Sequence, residues 1–148
     1  MLGLQEISDR LEIQQLLVDY ASAIDQKRFD DLDAIFMPDA HIDYSAVGGL
    51  AGQYDEVKAW LQATLAMFPN YQHMLGNMSL KIVGDSATGR TMCFNPMEMV
   101  LPDGSTQVMF VGIWYVDKFV RTPQGWRISE RVEEKCYMHN MPGMLQPA

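Results

Sequence analysis

The sequence predicts an α+β fold in which N-terminal helices pack on one face of a curved antiparallel sheet. Helical spacing of apolar residues dominates as far as Phe68, and from Gln72 onward β-rich runs alternate with turn signals. Those turns are Gly84-Asp85-Ser86, Pro102-Asp103-Gly104 and Thr122-Pro123-Gln124-Gly125. Length agrees: 148 residues, 48% hydrophobic and 20% charged, suffice for one buried core and are too apolar for a disordered chain. No repeat, low-complexity tract or linker divides the chain, so residues 1–148 read as a single domain.

The first helix is expected to open at Ser8-Asp9, where Glu12 stands three places after Asp9 as in a capping box. Ile13, Leu16, Leu17, Tyr20 and Ile24 form its apolar stripe. A shorter helix runs from its cap Asp30 to Phe36 and is stopped by Pro38, and Asp39 to Ser45 follows as a short strand. After the loop with Gly48, Gly49 and Gly52, Asp55 caps a third helix, and Val57, Trp60, Leu61, Thr64, Leu65 and Phe68 share one face until Pro69. The remainder makes four long strands in a meander. Such a sheet, curved beneath helices, encloses a cone whose apolar interior is the natural place for a small ligand.

Eleven Lys and Arg face nineteen Asp and Glu, and the net charge of -8 argues against a general nucleic-acid or anionic-membrane partner. Met1 to Arg10 lacks a basic start followed by an apolar core, and no apolar run approaches the ~18 residues of a membrane span. A soluble, cytoplasmic protein is expected. Cys93 and Cys136 lack zinc-site spacing and read as buried small hydrophobes. His41, His73 and His139 are scattered, and H-E-x-x-H, G-x-x-x-x-G-K and G-x-G-x-x-G are all missing, so neither a metal nor a nucleotide cofactor is expected. The acidic series from Asp25 to Asp43 also lacks metal-ligand spacing, and most of it reads as caps and solvated surface.

Asp25 falls near the last turn of the first helix, where the macrodipole disfavours a carboxylate by about 0.3–1 kcal/mol. Either the residue is kept there for use, or the helix has ended and Asp25 begins a solvated turn. His73, in a run without neighbouring charge, is either a satisfied core histidine or a general base with a carboxylate partner. A carboxylate on Nδ1 would fix the tautomer and leave Nε2 to take a proton, a contribution of roughly 10²–10⁴-fold. Tyr20 and Tyr44 are candidates to polarise a substrate oxygen, although Tyr20 also fits the core stripe. Strand alternation turns Tyr44 inward with Ile42 and away from Asp43. The 12 methionines suit an adaptable pocket and an ordinary core equally.

Tyr20-Ala21-Ser22-Ala23-Ile24-Asp25, Ile42-Asp43-Tyr44, a histidine opening a strand and Gly125-Trp126-Arg127-Ile128 together resemble the SnoaL-like family. It belongs to the nuclear transport factor 2-like superfamily and includes scytalone dehydratase, bile acid 7α-dehydratase and hexachlorocyclohexane dehydrochlorinase. The resemblance covers roughly Ser8 to Met138 and implies a cone-shaped α+β fold, a homodimer or homotrimer, and lyase chemistry without a cofactor. It implies that Asp25 and His73 form the catalytic dyad, that Tyr44 helps activate a carbonyl, and that Tyr20 matches a tyrosine of the bile acid enzyme. Asn95 and Lys135 fall where that enzyme has an acidic residue and an arginine, so both become candidates to bind a carbonyl or carboxylate. Ile24 replaces a tyrosine of scytalone dehydratase and Met97 its second histidine, so Met97 is a substrate contact of a different kind and the substrate does not carry over.

The function expected is therefore dehydration of a small hydrophobic, cyclic or aromatic substrate through a His-Asp base. The alternatives are an isomerase or polyketide cyclase using the same base, and a non-catalytic binder of small ligands. Apolar residues on both faces of Val108 to Phe119 would leave Ile113 or Trp114 exposed, which favours an oligomer. The tail Met138 to Ala148 either closes the pocket or an interface, or is an ordinary loose terminus.

Overall fold

An apolar stripe of Ile13, Leu16, Leu17, Tyr20 and Ile24 winds into helix α1 (Leu4–Asp25) and is buried along its length in the computed structural model, which describes residues 1–146. A 3₁₀ turn (Phe29–Ala34) leads to strand β1 (Phe36–Asp43), a second short turn (Ser45–Val47) and strand β2 (Ala51–Gln53). Helix α2 (Tyr54–Leu65) buries Val57, Leu61 and Leu65 from one side. Strand β3 (Asn70–Tyr71) precedes four long strands: β4 (Met74–Val83), β5 (Ser86–Val100), β6 (Thr106–Thr122) and β7 (Gly125–His139). A last 3₁₀ turn spans Gly143–Leu145.

The sheet order is β2-β1-β7-β6-β5-β3, with β4 also paired to β5. The long strands form the expected antiparallel meander, whereas β1 lies parallel to β7 and extends the sheet on its far side. Register shifts interrupt the β4–β5 ladder between Leu75 and Met78, and the β6–β7 ladder after Gly112 and after Lys118. Each inserts extra strand on one side of a ladder and so increases its bend, which curves the sheet around the helices. Full burial of a large aliphatic side chain contributes about 1.5–3 kcal/mol. The core runs from Ile13, Leu17 and Leu32 to Phe119 and Ile128, all at 2% exposure or less.

Several boundaries differ from expectation for identifiable reasons. Helix α1 starts at Leu4 without a side-chain cap, and Asp9 is an interior helical residue held by Arg121 and Trp126. The predicted helix from Asp30 to Phe36 is only a 3₁₀ turn; Asp30 is exposed and pairs with Lys58. Pro38 does not stop a helix but sits in β1, where β2 has not yet begun to pair and its missing N–H costs nothing. Gln53, not Asp55, precedes α2, its N–H donating to Glu56 Oε2 at 3.0 Å. That helix ends at Leu65, so Phe68 is buried from the loop that follows. Cys93 is buried as expected, but Cys136 is exposed. Ile113 needs no partner subunit, being 2% exposed under the helices, while Trp114 on the other face lies half-buried beneath Arg90, whose guanidinium is 3.8 Å from the ring. No described helix is long and apolar enough to cross a membrane.

Candidate active site

The end of α1 determines where the site forms. Lys27 adopts a left-handed φ of 55°, and the Arg28 N–H donates to Ala23 O at 2.8 Å, so the helix terminates just past Asp25. Two further bonds fasten this terminus to the segment leading into β4: the Tyr71 hydroxyl donates to Ile24 O at 2.7 Å, and Lys27 Nζ donates to Phe68 O at 2.8 Å. His73, in the link between β3 and β4 rather than in a strand, is thereby carried to Asp25.

Asp25 accepts from His73 twice. Its Oδ1 lies 2.6 Å from the ring Nδ1 and its Oδ2 takes the His73 backbone N–H at 3.0 Å. These bonds satisfy a carboxylate at a helix end that the macrodipole disfavours. The imidazole side chain is 6% exposed and lines the cavity, with Nε2 as its free ring nitrogen. The ring edges of Tyr20 and Tyr71 approach it at 6.3 Å and 6.1 Å between centroids.

The cavity measures about 240 Å³ and lies between α2 and the concave face of the sheet. A 150 Å³ apolar cavity accepts benzene, so this one has room for a ligand of one or two rings. Tyr20, Tyr44, His73, Asn95 and Met97 all line it. Tyr20 and Tyr44 are buried and their hydroxyls share one hydrogen bond of 2.8 Å, which leaves one O–H free to donate. Burial pushes both phenols above their ordinary range, so they remain neutral donors. Tyr44 is held by close backbone approach: a Cβ on Gly49 would stand 2.9 Å from Tyr44 O and 2.8 Å from the Trp60 ring.

Lys135 does not reach the cavity. The ladder shift after Gly112 leaves Glu134 to Tyr137 exposed, Lys135 among them. In the tail, Met138, Met141 and Leu145 line the cavity, while positions 147 and 148 lie outside the described residues.

Four residues that sequence reasoning did not single out complete the site. Arg131, fully buried, packs between the Tyr20 ring (4.3 Å) and the Tyr115 ring (3.9 Å). Its Nε and Nη2 donate to Asp117 at 2.7 and 2.9 Å. This pair fixes the back of the Tyr20–Tyr44 unit through two aromatic contacts. Glu133 lines the cavity two residues further along β7. Burial pushes its carboxyl up to about 8, against the pull of Arg131 and with the help of Asp117 and Asp43.

A profile for the SnoaL-like domain matches residues 5–132. An uncharacterized protein of Mycobacterium tuberculosis is 60% identical over 141 residues, 95% of each chain. Among solved structures, a protein assigned as a scytalone dehydratase from Novosphingobium aromaticivorans matches with a TM-score of 0.78 at 15% identity, over 93% of this chain and 90% of its own. A hexachlorocyclohexane dehydrochlorinase from Novosphingobium barchaimii matches with a TM-score of 0.76 at 20% identity, over 98% and 99%. At these identities the likeness is one of fold, shared also with a nuclear transport factor 2-like protein of Streptomyces avermitilis.

Proposed function

From the premise that this chain belongs to the SnoaL-like domain family, we propose that it is a cofactor-independent, dehydratase-like lyase acting on a small hydrophobic cyclic or aromatic substrate. The observation that carries the reading is the Asp25–His73 contact of 2.6 Å at the wall of an apolar cavity. Nδ1 is committed to the carboxylate, so Nε2 is the atom that takes a proton from a carbon beside an activating carbonyl. Asp25 stabilises the imidazolium that results. The free hydroxyl of the Tyr20–Tyr44 pair donates to the carbonyl oxygen, which becomes an enolate as the C–H electron pair moves inward. Collapse of the enolate forms the C=C bond and expels hydroxide from the adjacent carbon.

The test is a panel of one- and two-ring hydroxy-ketones followed by mass spectrometry. Loss of one water by the wild type, and its disappearance in His73→Ala and Asp25→Asn, is the expected result. Turnover that both variants leave unchanged overturns the proposal. A product of unchanged mass assigns the same base to an isomerase or cyclase, and a retained ligand without turnover assigns the cone to storage.

The same proposal includes a homo-oligomer joined through the outer face of the sheet, where Phe94 and Phe110 stack with centroids 5.9 Å apart beside exposed Met92 and Val108. Sedimentation across a concentration series reads this directly, and a monomer throughout overturns it. Two free cysteines support a reducing, cytoplasmic setting.

A further inference from the structure

Glu133 is the one glutamate among the described residues that is buried, at 8% exposure. It lines the cavity, and its Oε2 has no hydrogen-bond partner. Arg131 gives Nε and Nη2 to Asp117, and its unpartnered Nη1 makes no hydrogen bond to Glu133. A carboxylate left in this position would be a buried charge without a bonded counter-ion, which is costly, whereas a neutral carboxylic acid only needs somewhere to direct its O–H. On β5, two strands away in the same sheet, Asn95 is also buried and lines the cavity, and its Oδ1 too lacks a partner. Two unpartnered polar side chains in one apolar chamber point to a ligand that carries polar groups to meet them.

We propose that Glu133 is the acid of this site, a protonated carboxyl that donates to an oxygen of an uncharged ligand while Asn95 accepts a hydrogen bond from another polar group of it. This names the substrate class more closely than the lyase reading on which it rests: neutral hydroxy- or keto-compounds, with carboxylates rejected. Among the described residues no Lys or Arg lines the cavity, so an anion would enter without a counter-charge. In the elimination, His73 takes the carbon-bound proton and the expelled hydroxyl takes the Glu133 proton. Water leaves, Glu133 is left as carboxylate and His73 as imidazolium, and transfer of one proton from His73 to Glu133 through water restores the starting state.

The groups that determine the protonation of Glu133 are few. Arg131 on its own strand favours the anion, while Asp117 on β6 and Asp43 at the end of β1 favour the acid. The remaining titratable groups that act on it or share its cavity are Tyr115 on β6, Cys93 on β5, Tyr20 on α1, Tyr44 after β1 and His73 before β4, the last bonded to Asp25 of α1. Burial keeps the three tyrosines and the thiol neutral at physiological pH.

Difference infrared spectroscopy of the full chain tests this without a known substrate. A protonated-carboxyl band is expected at mildly acidic pH, fading with a midpoint near about 8 and missing from Glu133→Gln. Acetophenone should shift that band, and benzoate, its anionic counterpart in size, should not. An absent band, a band that survives Glu133→Gln, indifference to acetophenone, or an equal response to benzoate overturns the proposal. Should Glu133→Gln fail to fold, ¹³C-labelled glutamate assigns the band, since no other described glutamate is buried. An ionised Glu133 in a protein whose turnover still depends on His73 and Asp25 would end this inference and leave the lyase reading intact.

Discussion

Asp25 grips His73 at both ends of the residue, with Oδ1 on the ring Nδ1 at 2.6 Å and Oδ2 on the backbone N–H at 3.0 Å. One carboxylate therefore sets both the ring's tautomer and the position of the chain that carries it.

Asp25→Asn can keep only part of that grip, because an amide offers one acceptor where the carboxylate offers two. Turnover is expected to fall by about 10²–10⁴-fold with a stability loss of only about 1 kcal/mol. Turnover and urea midpoint measured on one preparation separate these effects. In ¹⁵N NMR the hydrogen-bonded Nδ1 proton of the wild type should be lost or strongly displaced in the variant. An unchanged resonance would show that the carboxylate does not hold the ring in solution.

The Tyr20–Tyr44 hydrogen bond makes two hydroxyls one device. Tyr20→Phe and Tyr44→Phe are each expected to slow turnover by about 10–10²-fold, and the double variant by no more than about the larger single effect. Rates that multiply in the double variant would mean two independent donors.

The buried Arg131–Asp117 pair predicts an asymmetry in stability. Asp117→Ala alone leaves an uncompensated buried guanidinium and is expected to cost about 3–5 kcal/mol, whereas Arg131→Met with Asp117→Leu should recover most of that loss. Denaturant unfolding of the single and double variants reads the difference. Equal losses in both would mean that the pair stabilises beyond mutual neutralisation.

Asp9 controls behaviour in acid. Hydrogen bonds from Arg121 hold its carboxyl well below the ordinary range despite burial, with Trp126 and Gln5 adding to the effect. A carboxyl whose pKa is lower folded than unfolded contributes stability that is complete above about pH 4 and is lost as pH falls further. The wild type should therefore lose stability steeply below that range, and Asp9→Asn should start lower and decline less. Thermal melts across the acid range measure it, and parallel curves would rule it out.

The pattern of legibility follows from local physics. Ile13, Leu16, Leu17, Tyr20 and Ile24 repeat with an unbroken helical period, so the buried face of α1 was readable even though its start was not. The start misled because Asp9 looks like a cap in sequence, while its true partners, Arg121 and Trp126, lie at the other end of the chain. Asp25 and His73 carried no local signal strong enough to pair them; only the family pattern did so. Arg131 and Glu133 were hidden by phase. Counting by twos from the buried Trp126 and Ile128 sends Glu130 and Val132 inward, but the ladder shift after Lys118 advances β7 by one residue and turns Arg131 and Glu133 in instead. Asp117 did leave a trace, standing in phase with Ile113, Tyr115 and Phe119 on an otherwise apolar face.

Met138, Met141 and Leu145 reach the cavity from beyond every polar side chain that lines it, Glu133 being the last of those in sequence. The last part of the apolar wall is thus written in its own stretch of chain. Changes in the final stretch can reshape what fits without moving the Asp25–His73 or Tyr20–Tyr44 bonds, a division that lets related sequences vary their ligands on a constant scaffold.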